Sequence, residues 1–160
     1  RTVCRKKRGI YKTMFRGRHD HTMDVKGRLS IPRVFRGELV GAGESPPMLV
    51  NEKDHLALFP ANVWAAEEQR LMEMSSLDPD AQRLRRFYAT GSVPCPVDSQ
   101  GRILVPGFLR DHAGLEKNVI VAGVLERIEI WSPSRFEQGQ TTTVHGLEDI
   151  KRSVNQGVRS

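Results

Sequence analysis

The sequence predicts a mixed α+β fold built from two β-rich copies of one unit. Three observations carry this. The stretch His21-Thr22-Met23-Asp24-Val25-Lys26-Gly27-Arg28-Leu29-Ser30-Ile31-Pro32 returns 74 residues later as Cys95-Pro96-Val97-Asp98-Ser99-Gln100-Gly101-Arg102-Ile103-Leu104-Val105-Pro106. The shared frame is Asp-x-x-Gly-Arg, three strand-type residues, then Pro, with an Arg four positions after each Pro (Arg36, Arg110). A second echo follows in each half: Leu56-Ala57-Leu58-Phe59-Pro60, and Ile128-Glu129-Ile130-Trp131-Ser132-Pro133. A unit repeated this regularly cannot bury its apolar face alone and packs against its own copy. A chain of 160 residues suits one domain made of two such halves.

Each element follows from local chemistry. Residues 19–31 read as strand, turn, strand. Asp24 can accept from the backbone amides that follow it, and Gly27 accepts positive φ. Pro32 opens a short helix over 32–39. Gly and Pro make 41–47 a loop, and 48–51 with 55–59 form a hairpin. Ala, Glu, Gln, Leu and Met make 62–74 a helix. Asp78 is placed to cap the next helix, with Pro79 just inside it. Ala81, Leu84 and Tyr88 line one face there, while Arg83, Arg85 and Arg86 form a basic stripe. Gly91 closes this helix and the second copy begins near Ser92. Its short helix is expected at 107–112 and its strands at 118–122 and 126–131. Ser132-Pro133 opens a helix that Gly139 is expected to interrupt. Beyond Thr141 only Leu147, Ile150 and Val154 keep helical spacing.

Charge is strongly polarised along the chain. Residues 1–36 hold twelve Lys or Arg and two Asp; the remainder holds thirteen and seventeen Asp or Glu. Without residues 1–13 the basic and acidic residues balance at nineteen each, so the net charge of +6 belongs to the front of the chain. Residues 1–13 lack periodicity and are expected to be a disordered basic extension. Met14-Phe15-Arg16-Gly17 reads as a native beginning. No apolar run approaches a membrane span and no signal-peptide pattern appears. Two distant cysteines, Cys4 and Cys95, make no disulfide framework and fit a reducing compartment. A soluble cytoplasmic protein is expected.

The doubled frame behind Met14-Phe15-Arg16-Gly17 resembles the MraZ family of bacterial transcriptional regulators, encoded at the head of the cell-division and cell-wall gene cluster. Asp24, Lys26, Gly27, Arg28, Leu29 and Pro32 match its first motif. Asp98, Gly101, Arg102 and Pro106 match the second, and Leu109-Arg110-Asp111-His112-Ala113-Gly114-Leu115 is also very like it. The resemblance runs from Met14 to about Phe136. It implies two tandem swapped-hairpin repeats of the AbrB type, closed into one pseudo-symmetric β-barrel with flanking helices. The corresponding boundaries are 14–61 for the first repeat, 62–91 for connecting helices, 92–135 for the second repeat and 136–160 for a helical or disordered tail. It also implies ring-shaped homo-oligomers and a nucleoid-associated repressor that binds double-stranded DNA at short repeated sites in its own promoter.

Physical chemistry points to the same turn. A repressor without a helix-turn-helix must hold positive charge on rigid loops facing the duplex. Lys26 and Arg28 on a β-turn do so, with Arg16, Arg18 and His19 as second contacts. Lys pairs with phosphate, while Arg can also fork onto a guanine edge. A competing role for Arg28 and Arg102 is an ion pair to Asp24 and Asp98 that pins the hairpin. Asp24, Gly27, Asp98, Gly101 and Arg102 are expected to be structural, since a carboxylate facing DNA repels phosphate. Repeat two has Ser99 and Gln100 where repeat one has Val25 and Lys26, so the first copy is expected to read DNA and the second to support the fold. The arginine stripe at 83–86 reads as a solvated face, or as a partner for Glu67, Glu68 or Glu73 of a neighbouring subunit. Trp64, Phe87, Tyr88, Phe108 and Trp131 are expected in the core or at an interface.

Other classes fare worse. His19 and His21, with Asp20 and Asp24, share a strand face but have no third His nearby, so no metal site is expected. Cys95 is flanked by Pro and has no His partner, so a nucleophile is not expected. No glycine loop suits phosphate, so neither a cofactor nor a small-molecule substrate is expected. The alternative is a protein-interaction module of the AbrB superfamily, antitoxin-like and with only nonspecific DNA affinity. That reading expects one copy per chain and a long acidic tail, and this chain has two copies and no such tail.

Overall fold

The computed structural model describes residues 14–41 and 45–158. The expected disorder of residues 1–13, Cys4 and part of the 41–47 loop lie outside the described residues. Eight strands and six helices are present among those described. The first half carries β1 (Phe15–Thr22), β2 (Arg28–Ser30), α1 (Arg33–Val40), β3 (Met48–Asn51) and β4 (Leu56–Phe59). Helices α2 (Ala61–Glu73) and α3 (Pro79–Thr90) connect it to the second half. There β5 (Ser92–Pro94), β6 (Arg102–Leu104), α4 (Gly107–Ala113), β7 (Asn118–Leu125) and β8 (Arg127–Trp131) repeat the order. Two helices, α5 (Pro133–His145) and α6 (Leu147–Gly157), end the described chain.

The two halves are interleaved. One antiparallel sheet runs β1-β7-β8-β4-β3-β5, and β2 pairs with β6 in a separate ribbon. Each repeat therefore lends its first strand to the other: β1 lies on β7, and β5 lies on β3. The ribbon is centred on the Leu29–Ile103 pair, two residues 74 apart at the same place in each frame. Both are fully buried. Flanking bonds repeat across this centre: Ile31 N–H donates to Gly101 O at 2.9 Å, and Val105 N–H to Gly27 O at 2.8 Å.

The closed β-barrel implied by the resemblance is not formed. β1 and β5 are open edges of the six-stranded sheet, and the ribbon stands apart from it. Proline is the physical reason. Pro32 and Pro106 end β2 and β6 after three residues, and Pro94 and Pro96 limit β5, because proline has no N–H to extend a ladder.

The sheet has two covered faces. One packs Leu49, Leu56, Leu58, Val119, Val121, Ile128 and Ile130 against the ribbon and helices α1 and α4. The other packs Val50, Ala57 and Phe59 against Val63 and Trp64 of α2, with Tyr88 of α3 alongside. Helix α5 also meets that outer face, where Trp131 and Phe136 stack edge to face at 5.9 Å.

The helix signals hold where side-chain chemistry sets them. Asp78 caps α3 by accepting from Asp80 N–H at 2.9 Å, with Pro79 as the first helical residue. Gly139 does not interrupt α5, which runs unbroken to His145. A single helical glycine disfavours a helix by only about 1 kcal/mol. Ser132 caps that helix by accepting from Arg135 N–H at 3.4 Å.

Candidate nucleic-acid interface

The two Asp-x-x-Gly-Arg frames fold into the same turn. In the first, Asp24 Oδ1 accepts from the backbone N–H groups of Lys26 at 3.0 Å and Arg28 at 2.9 Å. Its Oδ2 accepts from Arg28 Nε at 2.6 Å. In the second, Asp98 Oδ1 accepts from Gln100 N–H at 2.8 Å and Arg102 N–H at 2.9 Å, and Oδ2 from Arg102 Nε at 3.1 Å. Each turn closes with a 3.0 Å bond from the glycine N–H to the Asp carbonyl. Gly27 and Gly101 take φ of 88° and 76°, which a side-chain-bearing residue adopts only with strain. The backbone N–H of Arg28 and the Arg28 guanidinium hold the Asp24 carboxyl below its ordinary value, and Arg102 does the same for Asp98.

These bonds make the ion pairs of the pinning role weighed for Arg28 and Arg102. Each arginine is tied to its Asp through Nε, as the pinning role requires. The bond spends Nε and leaves the guanidinium edge carrying both Nη groups with no partner among the described residues. Lys26 sits exposed at the tip of the first turn, beside exposed Val25. Ser99 and Gln100 occupy those positions in the second.

Each turn is also met by an arginine from the opposite repeat. Arg36 of α1 donates from Nε to Ile31 O at 2.8 Å, and its guanidinium lies where a Cβ on Gly101 would stand. Arg110 of α4 occupies the equivalent place at Gly27, where a Cβ would stand 3.1 Å from Arg110 Nε and 2.6 Å from Val105 O. The arginine four positions after each Pro is the sequence signal for this contact.

The remaining candidates lie elsewhere. Arg16 is six residues before Thr22 on β1, about 20 Å along an extended strand from the turn. Arg18 pairs with Glu137 at 2.5 Å and Asp20 at 3.7 Å, and its guanidinium carbon lies 5.0 Å from the Phe136 ring centre. That contact binds α5 to the edge strand. The His19 ring is edge-on to Phe35 at 5.2 Å and 6.3 Å from the His21 ring. No group of three or more His, Cys, Asp or Glu that could hold a metal occurs among the described residues. No described helix is long and apolar enough to cross a membrane. Cys95 is buried, and burial pushes its thiol up to about 12.

A buried ionic cluster escaped the sequence reading. Arg127 donates to Glu129 Oε2 from Nε at 3.0 Å and from Nη2 at 2.8 Å, while Trp131 Nε1–H donates to Oε1 at 3.0 Å. His55 stacks flat on Trp131, ring centres 4.1 Å apart. Its Nε2 lies 3.3 Å from Glu129 Oε2, and its Nδ1 lies 2.9 Å from Asp54. Burial pushes the Glu129 carboxyl up, but the bonds from His55 and Trp131 and the charges of His55 and Arg127 outweigh it and hold the group at about 2. Burial lowers His55, and the two carboxylates outweigh that and raise it. The arginine stripe on α3 also divides. Arg85 caps the end of α2 through the carbonyls of Leu71, Met72 and Met74, Arg83 pairs with Asp80, and Arg86 is exposed.

Comparison with known proteins agrees with the doubled turn. A family model described as "MraZ protein, putative antitoxin-like" matches residues 14–87 and again 89–150. A protein of Moorella thermoacetica named "Transcriptional regulator MraZ" is 44% identical over 125 residues, covering 78% of this chain and 85% of that protein. Proteins of the same name from Caldanaerobacter subterraneus subsp. tengcongensis and Thermoanaerobacter pseudethanolicus are 39% and 37% identical. Both alignments cover 89% of this chain, and 97% and 98% of those proteins. Two matches of one family model, one on each interleaved half and each containing its Asp-anchored turn, show that the chain belongs to the MraZ family.

Proposed function

We propose that this chain is a sequence-specific DNA-binding transcriptional regulator, a repressor that controls the promoter of its own cell-division and cell-wall gene cluster. The observation that carries this reading is the first turn. Asp24 aims Arg28 while leaving its Nη edge unspent, and Lys26 stands exposed at the tip. An arginine oriented in advance loses less side-chain freedom on binding, and its remaining donors suit a guanine edge or a phosphate. Arg28 and Lys26 are the lead contacts; Arg16, Arg18 and His19 are outlying ones along β1.

The protein acts as a regulator rather than an enzyme, needs no cofactor, and works in the cytoplasm at the nucleoid. It assembles as a homo-oligomeric ring, which repeats one turn along the DNA and gains avidity where site spacing matches. The relatives' name, transcriptional regulator, supports the reading. The words "antitoxin-like" in the family description favour a second one, a protein-interaction module. Two fused repeats in one chain argue against it.

The test is titration of the full chain with its own upstream promoter and with a scrambled duplex at several salt concentrations. Promoter preference with a steep salt dependence is expected. Arg28→Ala is expected to abolish that preference while the oligomer survives. Equal affinity for both duplexes refutes sequence-specific regulation.

A further inference from the structure

Four arginines stand at the two turns in equivalent pairs, and one of them differs from its mate. Arg28 and Arg102 are tied to Asp24 and Asp98. Arg36 is tied to Ile31 O. Arg110 stands at the position equivalent to Arg36, and its side chain has no hydrogen-bond or ion-pair partner among the described residues, although its Nε is buried. The contrast lies between two copies of one structure, so the fold itself does not require it.

A guanidinium Nε–H taken out of water without an acceptor is unfavourable unless a partner supplies one, and Arg110 is otherwise half-buried. The location says which partner. Arg110 lies against Gly27, the residue between Lys26 and Arg28. Three cationic residues, Lys26, Arg28 and Arg110, therefore belong to the first turn, against two, Arg102 and Arg36, at the second. No acidic side chain of the described structure reaches Arg110. An anion with several acceptor oxygens approaching the Lys26 tip meets its unspent donors.

We infer that Arg110 is a phosphate-binding residue of the first turn, delivered from the second repeat, and that it grips the DNA backbone beside Lys26 and Arg28. This rests on the proposed DNA-binding function and adds to it a contact that the second turn lacks. A phosphate contact positions the protein and carries no sequence information, so Arg110 sets affinity and salt dependence while Arg28 sets selectivity.

The experiment measures affinity of the full chain, and of its Arg110→Ala, Arg110→Lys and Arg36→Ala variants, for promoter and scrambled duplexes over a salt series. Melting temperature and oligomer size are recorded for each. Arg110→Ala is expected to weaken binding to both duplexes about tenfold and to lower the slope of log affinity against log salt by about one, with Tm and oligomer unchanged. Arg110→Lys restores the slope. Arg36→Ala keeps the slope and lowers Tm. An unchanged slope for Arg110→Ala overturns the inference, as does a Tm loss equal to that of Arg36→Ala. If the wild type binds both duplexes equally, sequence-specific regulation fails, and the slope on either duplex still decides the phosphate contact. If it binds neither, both fail.

Discussion

Replacing Glu129 with Gln isolates what a buried carboxylate contributes to this fold. Glutamine keeps the shape and removes the charge that Arg127, Trp131 and His55 converge on. Glu129 is 8% exposed, so little solvent screening applies. Its carboxyl is held at about 2 against an ordinary 4.5. At about 1.4 kcal/mol per pH unit, the difference stabilises the folded state by about 3 kcal/mol at neutral pH. A protein of this size loses about 2–4 °C in Tm per kcal/mol, so Glu129→Gln is expected to melt about 6–12 °C lower. The sign follows from a depressed carboxyl. Its stabilisation is complete above pH 4.5 and is lost as pH falls towards 2. The gap between wild type and variant therefore narrows in acid, because the wild type acquires the neutral group that the variant already has. His55 works in the opposite direction. Its raised value gives stability that is complete below pH 6.5 and lost as pH rises through the folded-state value. Glu129→Gln is expected to flatten that alkaline loss, because Asp54 alone remains to raise His55. The assay is thermal unfolding by circular dichroism from about pH 2 to about pH 8.5, a range that spans the Glu129 window. A variant melting within about 2 °C of wild type at pH 7, or a gap that stays constant in acid, refutes the argument.

Four further outcomes are expected. Gly27→Ala destabilises by about 2–4 kcal/mol, because positive φ is strained and the new Cβ meets Val105 O, a backbone atom. Gly101→Ala destabilises less, because there the obstacle is the movable Arg36 side chain; calorimetry that ranks the two equally goes against this account. Lys26→Ala lowers the salt slope of DNA binding by about one and leaves promoter preference intact, and a loss of preference instead makes Lys26 a base-reading residue. Cys95, with its thiol near 12, resists iodoacetamide at pH 8 in the native protein and is alkylated after unfolding; peptide mapping that finds native alkylation contradicts its burial.

The turns were legible because their chemistry is local. Asp24 and Arg28 are four residues apart, and a glycine three residues after the Asp of a turn marks the position that takes positive φ. The cross-repeat pairing was not legible as register. Phe15 meets Leu125 more than a hundred residues away, and nothing near Phe15 announces that partner. The sheet edge therefore begins four residues earlier than the local pattern suggested. Glu129 was hidden for a related reason. Arg127-Ile128-Glu129-Ile130-Trp131 alternates like a half-exposed strand, which puts Glu129 on the water side. Helices α2 and α5 cover that side, so the alternation separates two buried faces instead. The C-terminal helices gave a weak signal because none of their residues is buried. Arg110 is the intermediate case. Its spacing from Pro106 was visible, and its lack of a partner became visible only beside Arg36.

The exchange of first strands between repeats has an evolutionary consequence. Had each repeat been a separate gene product, two copies would have to meet at cellular concentration, and every substitution would appear twice about the axis. Fusion through α2 and α3 makes that meeting intramolecular, so it no longer depends on expression level. It also removes the obligation to stay identical. One half of a fused pair can drift while the other is held by selection, and Lys26 on one turn with Gln100 at its counterpart is a difference that a symmetric assembly of single repeats could never encode.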